Sequence, residues 1–196
     1  MRPLTHDELQ GDDDYDINNF VDLLIDRLNR IPKGAKFAGD YHRHILGIME
    51  FIFYPNLTRP TIEQEIHQGR KRIDISFDNA AENGFFNQLH ATKDIPSQFI
   101  FVECKNYSSE IANPELDQLS GRFSPNRGKF GLLVCRSIGD MERFLARCAD
   151  TYHDQRGMVI PLVDEDFISF LKEIKNNNEN PGEELLFERL KKIMLR

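Results

Sequence analysis

The stretch that most constrains this chain is FIFVECKN, residues 99–106. Phe99, Ile100, Phe101 and Val102 form an unbroken apolar run, the pattern of a strand buried on both faces. The run then breaks into Glu103, Cys104 and Lys105. Side chains alternate along a strand, so Glu103 and Lys105 share one face and Cys104 points to the other. An acid and an amine therefore stand side by side at the end of a buried strand. Charges in such a place are costly unless they pair or bind something.

The rest of the chain supplies helices and strands around that run. Apolar residues at Phe20, Leu23, Leu24 and Leu28 have helical spacing over 17–30, and Pro32 and Gly34 stop the helix. A second helix is expected over 40–54. Ile45, Ile48, Met49 and Ile52 form its inner face, and Arg43, Gly47, Glu50 and Tyr54 lie on a separate stripe. Pro55 and Pro60 bracket a loop. From 61 to 78 the period changes to two, with a turn at Gln68-Gly69, which reads as a β-hairpin. One strand face carries Ile73, Ile75 and Phe77, the other Arg72, Asp74 and Ser76. Residues 80–96 read as a loop or short helix. Asn113-Pro114-Glu115 starts a helix that turns Leu116, Leu119 and Phe123 inward and places Gln118 and Arg122 together on another side. Strands follow at 130–135 and 158–162, helices at 140–152, 164–175 and 183–195.

With 196 residues the chain is long enough for one well-buried domain. The division expected is an acidic, disordered tail over 1–16, one domain over 17–175 and a C-terminal helix over 182–196 that packs on the core or pairs with another copy. A charged fraction of 29% and a hydrophobic fraction of 40% are ordinary for a globular protein. No apolar run approaches a membrane span and MRPLTHDELQ has no signal-peptide core, so the expected location is cytoplasmic, without membrane contact. Cys104, Cys135 and Cys148, odd in number and without C-x-x-C spacing, read as small core residues. His42 and His44 are two apart, on different sides of a helix, and do not make a metal pair. The net charge of −7 argues against a wholly basic nucleic-acid coat. Arg70, Lys71 and Arg72, and Arg122, Arg127 and Lys129, still form local basic clusters that can meet a polyanion.

The order helix, strand, strand, strand, helix, strand carries polar interruptions at Glu50, Asp74, Glu103, Lys105 and Gln118. In this it resembles the PD-(D/E)XK nuclease superfamily. The matching stretches are GRKRIDIS with Asp74, VECK with Glu103 and Lys105, and NPELDQLSGR with Gln118, preceded by the helix with Glu50. The sequence departs from the pattern in a long interval between Asp74 and Glu103, in Ile73 where many members have proline, and in Arg122 where recombination-type relatives often have tyrosine.

The resemblance implies an α/β fold, a restriction-endonuclease-like αβββαβ core with a central mixed sheet flanked by helices. It implies a metal-dependent DNA endonuclease, a Mg²⁺-dependent endodeoxyribonuclease, in restriction or anti-phage defence. The catalytic set is Glu50, Asp74, Glu103, Lys105 and Gln118. The metal ligands are Asp74, Glu103, the backbone carbonyl of Cys104, and Glu50. Phosphodiester hydrolysis needs an activated water and a neutralised phosphate; a hard dication such as Mg²⁺, with Mn²⁺ as a substitute, supplies both through oxygen ligands. Lys105 would orient or deprotonate water, and Gln118 would orient water, Lys105 or a phosphate. DNA is the expected partner, with a second copy or a partner protein of a defence system.

Plainer readings stand beside these. Asp74, Glu103 and Lys105 can form a structural ion pair, Gln118 can be a surface residue, and Glu50 can be the solvated side of its helix, in which case Glu63 or Glu65 is the third acid. A nuclease-fold binding or assembly module without turnover, and a structure-selective repair or resolvase nuclease, are the alternative functions.

Overall fold

The structure, a computed structural model, describes residues 16–66, 71–107 and 113–196, and for 64–66 and 71–72 the backbone alone. The turn Gln68-Gly69, Arg70 and all of the acidic tail except Asp16 lie outside the described residues.

The elements follow the apolar patterning. They are α1 (Ile17–Arg30), a 3₁₀ turn (Ala35–Phe37), α2 (Ala38–Phe53), β1 (Leu57–Ile66), β2 (Lys71–Asn79), α3 (Gly84–Ala91) and β3 (Phe99–Lys105). Then come α4 (Asn113–Ser120), β4 (Phe130–Cys135), α5 (Met141–His153), β5 (Met158–Val163), α6 (Asp164–Lys175) and α7 (Glu183–Met194). Asp16 caps α1, its carboxylate accepting the N–H groups of Asn18 at 2.9 Å and Asn19 at 3.3 Å. The buried residues of α1 are Ile17, Val21 and Leu28, whereas Leu23, one of the apolar residues that mark the helical spacing, is 62% exposed. The ambiguous segment after the hairpin is a short helix, α3, buried through Phe85, Phe86 and Leu89.

The five strands form one sheet in sequence order. β1–β2 and β2–β3 pair antiparallel, β3–β4 and β4–β5 parallel. The sheet is therefore mixed, and helices connect its parallel strands, as crossovers of that kind require. β4 and β5 are buried along their whole length, each large side chain worth about 1.5–3 kcal/mol in burial. The loop expected from Pro55 to Pro60 is shorter than that, because β1 already starts at Leu57. Proline is tolerated there because β1 is an edge strand and its register shifts between Thr58 and Thr61, around Pro60.

Two helices sandwich the strand that carries the charges. α4 lies on the face of Phe101, Glu103 and Lys105, and Phe123 just beyond it stacks on Phe101 with ring centroids 6.0 Å apart. The approach is close: a Cβ on Gly131 of β4 would stand 3.0 Å from the Phe101 carbonyl oxygen and 3.1 Å from the Leu119 side chain. Glycine at that position lets α4 press against β3 and β4. α2 covers the other face, with Tyr41, Ile45, Ile48 and Met49 buried on its inner side.

The apolar stripe of α7 is used internally: Leu186, Leu190 and Ile193 are buried against α5 and β5. Arg189 is buried with them, donating to Asp166 at 2.6 and 2.9 Å and to the Pro161 carbonyl at 2.6 Å. Among the described residues no helix is long and apolar enough to cross a membrane.

Candidate active site

β2 and β3 pair from Asp78–Phe99 to Ile75–Val102. The next pair in that register is Asp74 and Glu103, on one face. There the ladder ends, and the Asp74 carboxylate replaces it by accepting the N–H of Cys104 at 3.0 Å. Asp74 is thereby fixed beside Glu103, and the two carboxylates repel.

Glu103 is fully buried, at 0% exposure. Its Oε1 accepts from Lys105 Nζ at 2.8 Å, and its Oε2 contacts a terminal nitrogen of Arg122. Burial, then the nearby Asp74 charge, push its pKa up, against the downward pull of Lys105 and Arg122. Lys105 also donates to Gln118 Oε1 at 3.0 Å and sits 5.8 Å from the ring centre of Tyr107. Burial pulls its pKa down, but Glu103, Tyr107 and Asp74 outweigh burial and leave it raised, so the amine is held as ammonium. Glu103 and Lys105 follow the strand's period of two onto one face, and Tyr107, beyond the strand's end, approaches the same amine.

The structure thus brings together Asp74, Glu103, Lys105 and Gln118, from β2, β3 and α4. Cys104 stands between the two charged residues with its side chain buried on the opposite face, where burial pushes the thiol well above its usual range.

Glu50 is not brought to this cluster. It is exposed on α2, which covers the sheet's other face, and partial burial alone raises its pKa, with no contribution from Asp74 or Glu103. Ile62 pairs with Ile75 and Gln64 with Ile73, which puts backbone position 63 across from Asp74, but Glu63 has a positive φ of 53°, which interrupts the strand's alternation at that position. Among the described residues, no group of three or more His, Cys, Asp or Glu side chains is close enough to hold a metal. A cation here would rest on Asp74, Glu103 and the Cys104 carbonyl. All three are hard oxygen donors, and the two carboxylates repel in its absence, which suits Mg²⁺ or Mn²⁺. Each carboxylate oxygen has two lone pairs, so an oxygen engaged by a cation keeps one site in principle.

The basic cluster expected from Arg122, Arg127 and Lys129 is divided. Arg122 is 6% exposed and bound to Glu103, so it belongs to the buried site rather than to a DNA-facing surface. Arg127 and Lys129 lie at the other end of β3, where the Phe99 N–H donates to the Arg127 carbonyl at 3.3 Å and Lys129 Nζ donates to the Gln155 carbonyl at 3.2 Å. Six residues of strand put that end about 20 Å from Lys105. A cleft of about 620 Å³ lined by Asp94, Lys129, His153 and Gln155 lies there too, remote from the charged cluster. Lys71 and Arg72 are in β2 with only their backbone described, and Arg70 is outside the described residues.

Arg122 is the site residue whose role the sequence reading missed. It stands four residues after Gln118, in the turn just beyond α4, and the packing of that turn brings it to Glu103.

No family model matches the sequence, and no curated protein matches it. Among solved structures, the restriction endonuclease FokI bound to DNA is similar, with a TM-score of 0.52 and 11% identity over 90% of this chain and 32% of that one. The chain therefore spans about a third of that protein's length. At this identity the likeness speaks to the fold: a mixed five-stranded α/β sheet flanked by helices, with a restriction endonuclease as structural neighbour.

Proposed function

We propose that this protein is a divalent-metal-dependent nuclease of the PD-(D/E)XK type that hydrolyses DNA phosphodiester bonds. The observation that supports it best is the fully buried Glu103, set beside Asp74 and bonded to Lys105, with Gln118 on the same amine. A core does not need two carboxylates side by side; a phosphate-hydrolysing site does. The FokI neighbour, bound to DNA in its own structure, makes DNA the first substrate to try.

Asp74, Glu103 and the Cys104 carbonyl would hold the cation. Bound there, Mg²⁺ would supply an activated water and offset the charge gathering on phosphate. Lys105 places a positive charge beside the reacting phosphate and orients water, while Gln118 fixes the direction of the amine. Glu63 is the better third acid by register, and Glu50 belongs outside the first ring of ligands. Restriction or anti-phage defence is the setting the family resemblance implies, with a second copy or a partner protein to complete a double-strand cut.

A second reading, a nuclease-fold binding module without turnover, draws on one feature: both Glu103 oxygens are already taken by cations. Incubation of supercoiled plasmid with Mg²⁺ separates the two. The nuclease reading expects nicked or linear product that disappears with chelator and in Asp74→Asn. Intact plasmid under Mg²⁺ and Mn²⁺, with DNA binding preserved, favours the module.

A further inference from the structure

We propose that Arg122 is a built-in competitor for the metal. Its guanidinium holds Glu103 in the DNA-free protein, and it leaves that carboxylate when a phosphate arrives, so that cation capture is coupled to substrate. This rests on the reading of Asp74 and Glu103 as metal ligands.

The geometry is specific. Lys105 takes Oε1 of Glu103 and Arg122 takes Oε2, so each oxygen already carries one cation. Two carboxylates, Asp74 and Glu103, meet two cations, Lys105 and Arg122. The cluster is neutral before any metal enters, and a dication approaching Glu103 meets two positive charges at its own ligand. The chemistry asks for one positioned amine, and Lys105 provides it. Arg122 is surplus to it.

Arg122 is also the group able to leave. An arginine has five N–H donors in a planar fork that suits phosphate, and the Glu103 contact engages one terminal nitrogen. The backbone that carries it is pinned: Arg127 donates to the Arg122 carbonyl at 3.2 Å, and the next residue, Phe123, stacks on Phe101. A rotation of the side chain alone then transfers the guanidinium from carboxylate to phosphate. Arg122 follows Gln118 by four residues, in the turn just beyond α4, and the two side chains meet the same Glu103–Lys105 pair.

The test is Mn²⁺ titration of the full, DNA-free chain by calorimetry, comparing the parent with Arg122→Met and Arg122→Gln. Both variants are expected to bind Mn²⁺ about tenfold more tightly, within the ordinary range of coupling between sites. The gain is expected to vanish in Arg122→Met combined with Asp74→Asn. A merely structural arginine predicts the opposite sign, because a loosened site binds worse. Equal or weaker affinity in either folded variant overturns the proposal. A second arm needs no variant: a phosphorothioate duplex that resists cleavage is expected to tighten Mn²⁺ binding by the parent by a similar factor, and no change overturns the proposal. Plasmid cleavage by the parent is scored separately. Cleavage without the affinity gain sinks the competition alone, and the gain without cleavage supports the competition while sinking the nuclease reading.

Discussion

Asp74 and Cys104 are joined where β2 and β3 stop pairing: the Asp74 carboxylate accepts the buried Cys104 N–H at 3.0 Å. One oxygen of the acid thus closes the gap where the β2–β3 ladder ends. Asp74→Asn keeps an acceptor for that N–H and removes the charge. It is expected to melt within about 0.5 kcal/mol of the parent and to show no cleavage. Asp74→Ala orphans a buried donor and is expected to lose about 1–3 kcal/mol as well. Urea unfolding beside a plasmid assay checks both; an active Asp74→Asn removes Asp74 from the site.

The two candidates for a third acid are separated by the fold. Backbone position 63 stands across the sheet from Asp74, while Glu50 lies on the helix of the opposite face. Glu50→Gln is expected to change single-turnover cleavage by less than about tenfold, and Glu63→Gln by more, since losing a positioned acid or base costs on the order of 10²–10⁴. The reverse order of effects would return Glu50 to the metal through water.

These pairings also mark what the sequence could and could not reveal. The apolar run at 130–135 spans β4 from end to end, and the run at 99–102 starts where β3 starts, because burial leaves a pattern that survives in one dimension. The Glu103–Lys105 face followed from alternation alone. Pro60 misled about β1, since only sheet order tells an edge strand from a loop. The spacing that includes Leu23 marked α1 as a helix but not which side is covered, since spacing fixes a stripe and not what packs on it. Arg122 and Glu103, and Arg189 and Asp166, are 19 and 23 residues apart in the chain. Charge pairs of that kind are set by which helix lies on which strand, and no local pattern records it.

Asp164 supplies a pH dependence away from the site. The Tyr41 hydroxyl donates to its Oδ1 at 2.8 Å and Arg136 Nε lies 2.8 Å from its Oδ2. Burial outweighs both and pushes its pKa up to about 6. A carboxyl whose folded pKa is above its unfolded value adds stability at low pH and loses it as pH rises through the folded pKa. The parent should therefore lose on the order of 1 kcal/mol from this group between about pH 4 and about pH 6. Asp164→Asn removes that slope, whatever it does to absolute stability, which falls because Arg136 loses its partner. Denaturant unfolding across this range tests it; an identical slope in the variant contradicts it.

Arg189 fixes α7 to the core through Asp166 and Pro161. Arg189→Met leaves Asp166 without its cation and is expected to cost about 3–5 kcal/mol. If α7 were a pairing surface between copies, the same change would shift sedimentation rather than the melting of the monomer. A variant that melts like the parent contradicts the internal role.

The central claim is that Lys105 serves the chemical step at a metal site built on Asp74 and Glu103. The most direct measurement is single-turnover cleavage of duplex DNA at saturating Mg²⁺ by the parent and Lys105→Ala, with binding followed in parallel under Ca²⁺. Lys105→Ala is expected to bind DNA like the parent and to cleave on the order of 10²–10⁴ more slowly. Equal single-turnover rates in the two proteins would contradict the account.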